Sequence, residues 1–512
     1  MRGRRIRAAV AGVITAGLLL AGCAGGGAGN GSAGASGEAE QLAIGTMSNP
    51  TSLDPKDAGG GTIPFFQATY DTLIKRSADG SFTPMLATAW AYNDARTELS
   101  LTLRDGVTFT DGATFDGAAV KANVEHFKNG GGQSATQASQ IASVEVTDAT
   151  HVVIKLSAPD PSLEWSLSDA LGLMATPNKL GSDDLKTAPV GTGPYTMNAA
   201  ETAIGTTWVF DRRDDYWGDK LPFKRVVFSV FDNENAMVNG LKTGQLNSAL
   251  LQTSDQQAAA KSDANLTSQD TSFDFQGILI FDRGGKLNPA LADARVRQAL
   301  NYAIDRDALV EGIRQGRGTA TAQVFGTSTK GYDASLDTYY SYDPAKAKAL
   351  LAEAGYASGL TVTLPNMPTI STDNIRTALT SQMAEAGITL EWAESANPLQ
   401  EIFRQFKFPG MVMNMGQSSN DWNYVQTYIQ PGTFNFFGNS DPVLTEQAAT
   451  LQTTTGAEYD AAATAINRRF VEQGWFVPFY RMTYALVSDK TVTVVPQDGM
   501  AVPSLYNYTP AS

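Results

Sequence analysis

The spacing of hydrophobic and polar residues along the chain predicts several half-buried β-strands. Glu98–Arg104 and His151–Leu156 alternate between apolar and polar residues with a period of two, which is typical of strands with one buried face. Further strands are predicted at Gln41–Thr46, Thr207–Asp211, Arg225–Phe231 and Phe273–Phe281. We therefore expect β-structure to be distributed over much of the chain.

A helical period of hydrophobic residues occurs between these strands. In Asp116–Lys128, the side chains of Val120, Val124 and Phe127 fall on one helical face, and Asp116 is suited to cap the first turn. Similar patterns predict helices at Asn233–Thr243, Asp293–Ile304, Pro344–Ala354, Ile375–Ala386 and Ala457–Gln473. Because strands and helices are mixed throughout, the sequence predicts an α/β or α+β architecture with several lobes.

Two apolar stretches are candidates for the places where the chain crosses between lobes. Gly277–Phe281 precedes a turn-rich break, Asp282–Gly285, after which the helical content rises. Trp475–Tyr480 returns to strand character after a long predicted helix. Two crossings of this kind would form a hinge.

The N-terminus has the pattern of an export signal. Arg2–Arg7 is basic, and the apolar run Ala8–Leu20 is shorter than the about 20 residues that a membrane-spanning helix needs. This pattern predicts a signal peptide at residues 1–22. The run ends in Leu-Ala-Gly-Cys, which resembles a bacterial lipobox in which Cys23 receives a lipid. An ordinary secretory signal with an incidental cysteine is the alternative.

The segment after Cys23 predicts a flexible tether over residues 23–37. Ala24–Gly37 contains Gly, Ala, Ser and Asn alone, and a linker of this composition reaches about 20 Å. No later stretch of the sequence approaches 18 consecutive apolar residues. The sequence therefore predicts a body in the cell envelope, anchored through Cys23 to the outer face of the cytoplasmic membrane.

Composition excludes several classes of function. The 512 residues include 52 Asp and Glu against 38 Lys and Arg, giving a net charge of −14, and no basic cluster suits a nucleic-acid backbone. One cysteine and two histidines cannot supply a disulfide framework or a Cys/His zinc site. We expect no nucleic-acid partner, no cofactor and no metal site.

The sequence contains no recognisable catalytic motif. The nucleophile elbow, the P-loop, the dinucleotide fingerprint and the zinc-protease helix are all absent. His126 lies on the polar edge of a predicted helix and His151 opens a strand, positions that are typical of surface residues. Carboxylates are plentiful, so a hydrolase with a carboxylate pair stays open, because the separation of such a pair is invisible in a sequence.

One segment late in the chain has the composition of a binding site. Met411, Met413 and Met415 alternate on a predicted strand and are expected to share a face, most simply in a lobe core. The following Gln417–Tyr424 combines polar side chains with Trp and Tyr just beyond the strand end. Such a segment suits a pocket with convergent polar groups and an aromatic wall. A solvated loop with a buried Trp422 explains it equally well.

A series of short motifs, in order along the chain, resembles the family 5 extracellular solute-binding proteins, which are the oligopeptide, dipeptide and nickel receptors of ABC importers. The matching segments are Leu53–Pro55, Tyr70–Leu73, Pro84–Trp90, Leu103–Gly112, Val190–Tyr195, Asp214–Gly218, Val296–Arg306 and Tyr342–Tyr356. They cover most of the chain beyond the tether.

The resemblance implies an α/β fold of the two-lobed periplasmic-binding-protein type, with a hinge and an extra domain inserted in the N-terminal lobe. The implied limits are 38–55, 187–280 and 480–512 for lobe I, 56–186 for the inserted domain and 281–479 for lobe II. The two predicted crossings fall near the positions where such a hinge would lie.

The resemblance also indicates a ligand site. In peptide-binding relatives, an Asp shortly after a Gly-Trp strand end pairs with the α-amine of the ligand. Here Gln417 stands at the Trp position and Asn420 at the Asp position, with Asp421 one residue later. Either Asn420 or Asp421 would therefore take the polar contact. The predicted ligand-binding residues are Ile63, Gln417, Ser418, Asn420, Asp421 and Trp422.

By this resemblance the chain is a receptor and not an enzyme. It would act as a monomer that captures an oligopeptide-like solute and delivers it to an ABC permease. A non-peptide solute is the alternative: an oligosaccharide, an opine-like compound or a metal chelate. A secreted hydrolase and a surface scaffold lipoprotein are the competing classes.

Overall fold

The structure is a computed structural model that describes residues 37–432, 434–497 and 499–511. The predicted signal peptide, Cys23 and the tether up to residue 36 lie outside the described residues. Within the described part of the chain, no helix has the length and apolar character needed to span a bilayer.

Strands are distributed along the whole described chain. They are β1 (Ala39–Thr46), β2 (Ile74–Arg76), β3 (Phe82–Pro84), β4 (Ala87–Tyr92), β5 (Glu98–Leu103), β6 (Ile141–Val146), β7 (His151–Leu156), β8 (Tyr195–Met197), β9 (Thr207–Arg212), β10 (Phe223–Val230), β11 (Ser248–Leu251), β12 (Leu266–Thr271), β13 (Asp274–Ile280), β14 (Gly318–Ala320), β15 (Leu360–Pro365), β16 (Ile388–Ala393), β17 (Gly410–Gly416), β18 (Phe476–Met482), β19 (Tyr484–Asp489), β20 (Val492–Val494) and β21 (Tyr508–Pro510).

Helices are most frequent between β13 and β18. The α-helices are α1 (Ile63–Thr69), α2 (Gly117–Gly130), α3 (Leu163–Leu167), α4 (Glu234–Lys242), α5 (Ser254–Lys261), α6 (Ala294–Tyr302), α7 (Arg306–Arg314), α8 (Pro344–Glu353), α9 (Asp373–Glu385), α10 (Pro398–Phe403), α11 (Asp421–Tyr424), α12 (Pro442–Thr453) and α13 (Ala457–Glu472).

A seven-stranded mixed sheet has the order β12-β19-β11-β1-β10-β9-β8. Strand β1 pairs in parallel with β10 and β11, and the other pairings are antiparallel. Apolar residues of α4 and α5 cover one face. On the other face, Phe65 of α1 stacks on Phe228 of β10 with ring centroids 4.2 Å apart. Both faces are thus buried, which fits the apolar character of these strands.

A second sheet has the antiparallel order β14-β18-β13-β17. The chain passes from the first sheet to the second between β12 and β13, at Ser272–Phe273, and returns between β18 and β19, at Thr483. The ring centroids of Phe273 and Tyr484 lie 4.6 Å apart, so the two connections are adjacent.

A third sheet, β4-β5-β7-β6, is antiparallel and lies in the range predicted for the inserted domain. Helix α2 packs against it, with Val120, Val124 and Phe127 all buried. The Asp116 side chain accepts a hydrogen bond from the Ala119 N–H and so caps the helix. The predicted helix and its predicted cap are both confirmed.

Most predicted elements are confirmed within one or two residues at each end, but the two crossings differ from the prediction. The apolar stretches at Gly277–Phe281 and Trp475–Tyr480 lie in paired strands β13 and β18. Asp274–Ile280, predicted to belong to lobe I, pairs instead with the strands of lobe II. A continuous apolar run marks a strand that is buried on both faces. The connections lie outside these runs, at Ser272–Phe273 before β13 and at Thr483 after β18. The other domain limits stay a prediction.

Candidate functional site

A cavity of about 400 Å³ lies where the two large sheets are joined. Its size is in the range of small-molecule sites. One wall comes from the segments around α1, β2 and α3, the other from the end of β17, and the floor from the first residues of β13. The lining residues are Gly60, Gly61, Ile63, Arg76, Trp165, Asp169, Phe273, Asp274, Gly416, Gln417, Ser418, Asn423, Gly499, Met500 and Ala501.

The apolar part of this lining is aromatic. The half-buried Trp165 of α3 and Phe273 between the sheets both line the cavity, together with the buried Ile63. The Trp165 indole N–H donates a hydrogen bond to the Ser419 Oγ across the cavity mouth, at 3.3 Å. Rigid rings of this kind give a ligand a large apolar contact area and hold few conformations of their own.

Arg76 and Asp169 form a compensated pair in one wall. The Arg76 Nη2 lies 3.9 Å from the Asp169 Oδ1, and its guanidinium lies over the Trp165 ring, 4.9 Å from the centroid. The Gln137 amide donates to the Asp169 Oδ2 at 2.7 Å. The positive charge of Arg76 is thus balanced by Asp169 within the wall.

Asp274 is a carboxylate without such a partner. It is the first residue of β13 and pairs in register with Gly416, the last residue of β17. The Tyr484 hydroxyl donates to its Oδ2 at 2.9 Å, and among the described residues no Lys or Arg forms an ion pair with it. Burial raises the pKa of Asp274 to about 6, although the Tyr484 hydrogen bond acts in the opposite direction.

Three of the predicted site residues lie in the cavity wall: Ile63, Gln417 and Ser418. The Gln417 amide donates to the carbonyls of Val324 and Phe325, so its side chain is held within lobe II. The Ser418 Oγ accepts hydrogen bonds from the Asn420 N–H and the Asn423 amide. These contacts fix the shape of the wall.

The other predicted ligand contacts do not line this cavity. The Asn420 side chain caps α11 by accepting from the Trp422 N–H, and its amide donates to the Pro161 carbonyl at 3.5 Å. The Asp421 carboxylate accepts from the backbone N–H groups of Lys330 and Gly331, at 3.2 and 2.8 Å. Both oxygens of Asp421 thus already accept hydrogen bonds from backbone N–H groups of the protein.

Trp422 is 1 % exposed and belongs to the hydrophobic core of lobe II. Met411 belongs to the same core, and Met413 and Met415 pack against it. The interpretation of the methionines as core residues is confirmed. Of the two interpretations of Trp422, the structure favours the buried one.

Sequence reasoning missed Arg76, Trp165, Asp169 and Asp274. Arg76 is about 90 residues before Trp165 and Asp169, all three are distant in sequence from the segment after β17, and no spacing pattern connects them with it. Asp274 did carry a signal, because it is the one charged residue in the predicted apolar strand Phe273–Phe281. A charge at such a position is costly unless it has a role.

The two histidines are engaged elsewhere. His126 of α2 lies 2.8 Å from the Asp54 carboxylate, and the exposed His151 pairs with Asp148. Within the described residues, no group of three or more His, Cys, Asp and Glu side chains could hold a metal ion. The described lining of the cavity is polar and aromatic, with Arg76, Asp169 and Asp274 as its charged residues.

Known proteins share this architecture and much of this sequence. The glutathione-binding protein GsiB of Salmonella paratyphi A is 31 % identical over 358 residues, 68 % of each chain. The nickel-binding periplasmic protein of Escherichia coli is 30 % identical over 302 residues, 56 % of each. The structure of the periplasmic binding protein AgaA from A. tumefaciens R10, solved with agropinic acid, superposes with a TM-score of 0.77 at 24 % identity, covering 92 % of this chain and 99 % of that one.

The fold is thus that of the two-lobed periplasmic binding proteins. Residues 81–436 match the family described as "Bacterial extracellular solute-binding proteins, family 5 Middle". This match extends over more than half of the chain, and it includes strands of the inserted domain, of both large sheets and of the cavity wall. The chain belongs to the family 5 extracellular solute-binding proteins of bacteria.

Proposed function

We propose that this protein is the substrate-binding component of an ABC importer and that it captures a small peptide-like solute in the cavity between its lobes. The observation that carries the proposal is the cavity of about 400 Å³, which both lobes and the connections between them line. Closure of two lobes around a solute is the usual means by which such a site is sequestered from solvent.

The chemistry of the lining supports a peptide-like solute. Charged groups of both signs line the cavity, in the Arg76–Asp169 pair and at Asp274, together with the aromatic side chains of Trp165 and Phe273. A short peptide or a modified amino acid carries both charges and an apolar part. The relatives named above bind glutathione, nickel and agropinic acid, so a non-peptide solute is the alternative.

The test is to identify what the protein retains. Small molecules extracted from the purified mature protein are measured by mass spectrometry, beside those from the variant Gly416→Phe. A Cβ at Gly416 would meet the Asp274 Oδ1 at 3.6 Å and nothing closer, so the strand accepts a side chain whose ring then occupies the cavity. We expect a stoichiometric solute in the wild type and none in the variant. Equal retention by both would place binding elsewhere.

The protein is proposed to release its solute unchanged. Trialanine incubated with the purified protein should be recovered intact. Recovery of alanine and dialanine would instead indicate that the protein is a hydrolase that uses a pair of carboxylates.

Anchoring through Cys23 is part of the proposal and would place a monomeric body at the outer face of the cytoplasmic membrane, beside the permease. Each buried CH₂ of an attached acyl chain contributes about 0.8 kcal/mol, and two or more chains hold a protein stably at a membrane. Cys23→Ala should therefore move the protein to the soluble fraction. Retention of this variant in washed membranes would contradict a lipid anchor.

A further inference from the structure

The charged groups of the cavity do not balance. Among its described lining residues, the charged ones are Arg76, Asp169 and Asp274. Arg76 and Asp169 face each other at 3.9 Å, and no Lys or Arg of the described residues forms an ion pair with the Asp274 carboxylate. A half-buried carboxylate at a cavity wall favours a ligand that supplies the missing positive charge.

We infer that Asp274 is the residue of the cavity that binds a protonated amino group of the solute. This inference rests on the proposed function and adds a chemical class to it: solutes with a free ammonium group next to an apolar part. The ammonium would lie at the junction of the two lobes, between β13 and the end of β17, with Phe273 and Trp165 beside it.

The geometry around Asp274 leaves one oxygen available. Its Oδ2 accepts from the Tyr484 hydroxyl at 2.9 Å, while among the described residues no hydrogen bond reaches its Oδ1. This Oδ1 points toward the position where Gly416 has no side chain, because a Cβ built there would lie 3.6 Å away. The glycine thus leaves room for a ligand group beside the free oxygen.

Asp421 is the competing carboxylate, since the sequence pattern points to it. It is 3 % exposed, and both of its oxygens accept from backbone N–H groups. An ammonium would have to displace those donors to reach it, and the buried N–H groups of Lys330 and Gly331 would then lack partners. At Asp274, an ammonium could bind the Oδ1 without displacing a backbone N–H donor.

Titration calorimetry with four probes tests the inference: glutathione and trialanine, each with a free amino group, and their N-acetyl derivatives. Removing one member of a desolvated charge pair typically lowers affinity by roughly 30-fold or more. We expect the wild-type protein to prefer at least one free-amine probe over its acetylated form by about this factor. In Asp274→Asn the preference should fall to about threefold or less, because the amide offers no charge.

Three further variants keep the result interpretable. Asp421→Asn tests the competing carboxylate, Tyr484→Phe removes the hydrogen bond to Asp274 but leaves its carboxyl group, and Glu125→Gln removes an exposed carboxylate on α2 that does not line the cavity. The preference for the free amine should persist in all three. Thermal melting of each variant confirms that it is folded.

The outcomes separate the two proposals. The role of Asp274 is overturned if the wild type binds free and acetylated probes equally. It is also overturned if the preference for the free amine survives in Asp274→Asn and disappears in Asp421→Asn. Both outcomes leave the receptor function standing. If no probe binds and the solute retained by the wild type has no amino group, the amine class is overturned while the cavity remains the binding site. Failure of Gly416→Phe to displace that solute overturns the proposed function itself.

Discussion

The carboxyl group of Asp274 costs the folded protein stability, because it accepts a hydrogen bond from the Tyr484 hydroxyl but forms no ion pair with any described residue. Its pKa is raised from 3.8 to about 6 in the fold. A group that holds its proton more tightly when folded stabilises the fold at low pH, and this contribution is lost as the pH rises from about 4 to 6. Ionised Asp274 therefore opposes folding at neutral pH.

Asp274→Asn should accordingly raise the melting temperature of the solute-free protein at pH 7, by an amount equivalent to about 1–3 kcal/mol. At pH 3.5, below both pKa values, the two proteins should melt alike, and Glu125→Gln should match the wild type throughout. Differential scanning calorimetry at both pH values makes the measurement. A less stable Asp274→Asn at pH 7 would show that the Tyr484 hydrogen bond outweighs the buried charge.

The protonation of Asp274 around pH 6 also predicts how the binding of a solute depends on pH. Facing Asp274 are the Tyr484 hydroxyl of β19, whose pKa burial raises well above its usual range, and the Arg76–Asp169 pair across the cavity. On the neighbouring β18, Arg481 is ion-paired with Asp337. Asp274, whose pKa is raised to about 6, thus changes its charge around that pH.

Between pH 7 and pH 5, the dissociation constant of a free-amine probe should rise about tenfold, since Asp274 gains a proton while the amino group, with a pKa near 8, stays charged. The acetylated probe should show no such change, and neither should Asp274→Asn. Calorimetry at the two pH values decides this. A wild-type affinity that is constant over this range would contradict the role of Asp274.

At this scale the sequence predicted part of the site. Polar residues just beyond the end of β17, next to Trp and Tyr, predict a pocket, and Gln417 and Ser418 do line the cavity. Asp421 and Trp422 belong to the same polar and aromatic segment. The Asp421 carboxylate, however, accepts a hydrogen bond from a backbone N–H group, and Trp422 is part of a hydrophobic core. Which side of a short helix faces a cavity depends on tertiary packing, which composition does not encode.

At the scale of elements, periodicity and capping residues located most helices and strands. Helix α4 begins after Asn233 and α6 after Asp293, and each of these side chains accepts a backbone N–H of the first turn. The connections between the sheets were less predictable, because Ser272–Phe273 and Thr483 carry no turn signal such as Gly or Pro.

Strand β13 contains Gly277, and backbone atoms of β18 occupy the space that a side chain at this position would need. A Cβ at Gly277 would lie 2.7 Å from both the Val477 carbonyl oxygen and the Pro478 Cα of β18. Gly277→Ala should therefore push the two strands apart and lower the free energy of unfolding by about 1–3 kcal/mol. Thermal melting measures the loss.

Gly416→Ala on the adjacent strand β17 is the matched control, since the nearest atom to its Cβ would be 3.6 Å away. Its melting temperature should stay close to that of the wild type, within about 0.5 kcal/mol in stability. Equal effects of the two alanines would mean that the close approach of β13 and β18 is not what selects glycine at position 277.

At the scale of the whole molecule, hydrogen bonds cross from one lobe to the other at the cavity mouth. The Trp165 indole donates to Ser419 at 3.3 Å, and the Gln452 amide of α12 donates to the Pro159 carbonyl at 2.9 Å. Contacts of this kind hold a closed arrangement that a bound solute would favour by binding it more tightly than an open one.

Small-angle scattering should therefore give a smaller radius of gyration for the protein with its co-purifying solute than for the same protein after the solute has been removed. Gly416→Phe, whose cavity is blocked, should give a single curve under both treatments. Superimposable wild-type curves would contradict a closing cleft.

The two connections between the sheets have a mechanical consequence. Ser272–Phe273 and Thr483 are short and lie side by side, with the Phe273 and Tyr484 rings in contact across them. Two rigid bodies joined by adjacent short connections keep mainly one degree of freedom, a rotation about the line through both. One distance across the cavity mouth then reports the whole motion. Because Cys23 is the only cysteine of the sequence, two introduced cysteines with a fluorophore pair would turn a variant with Cys23 replaced into an optical sensor for its own solute.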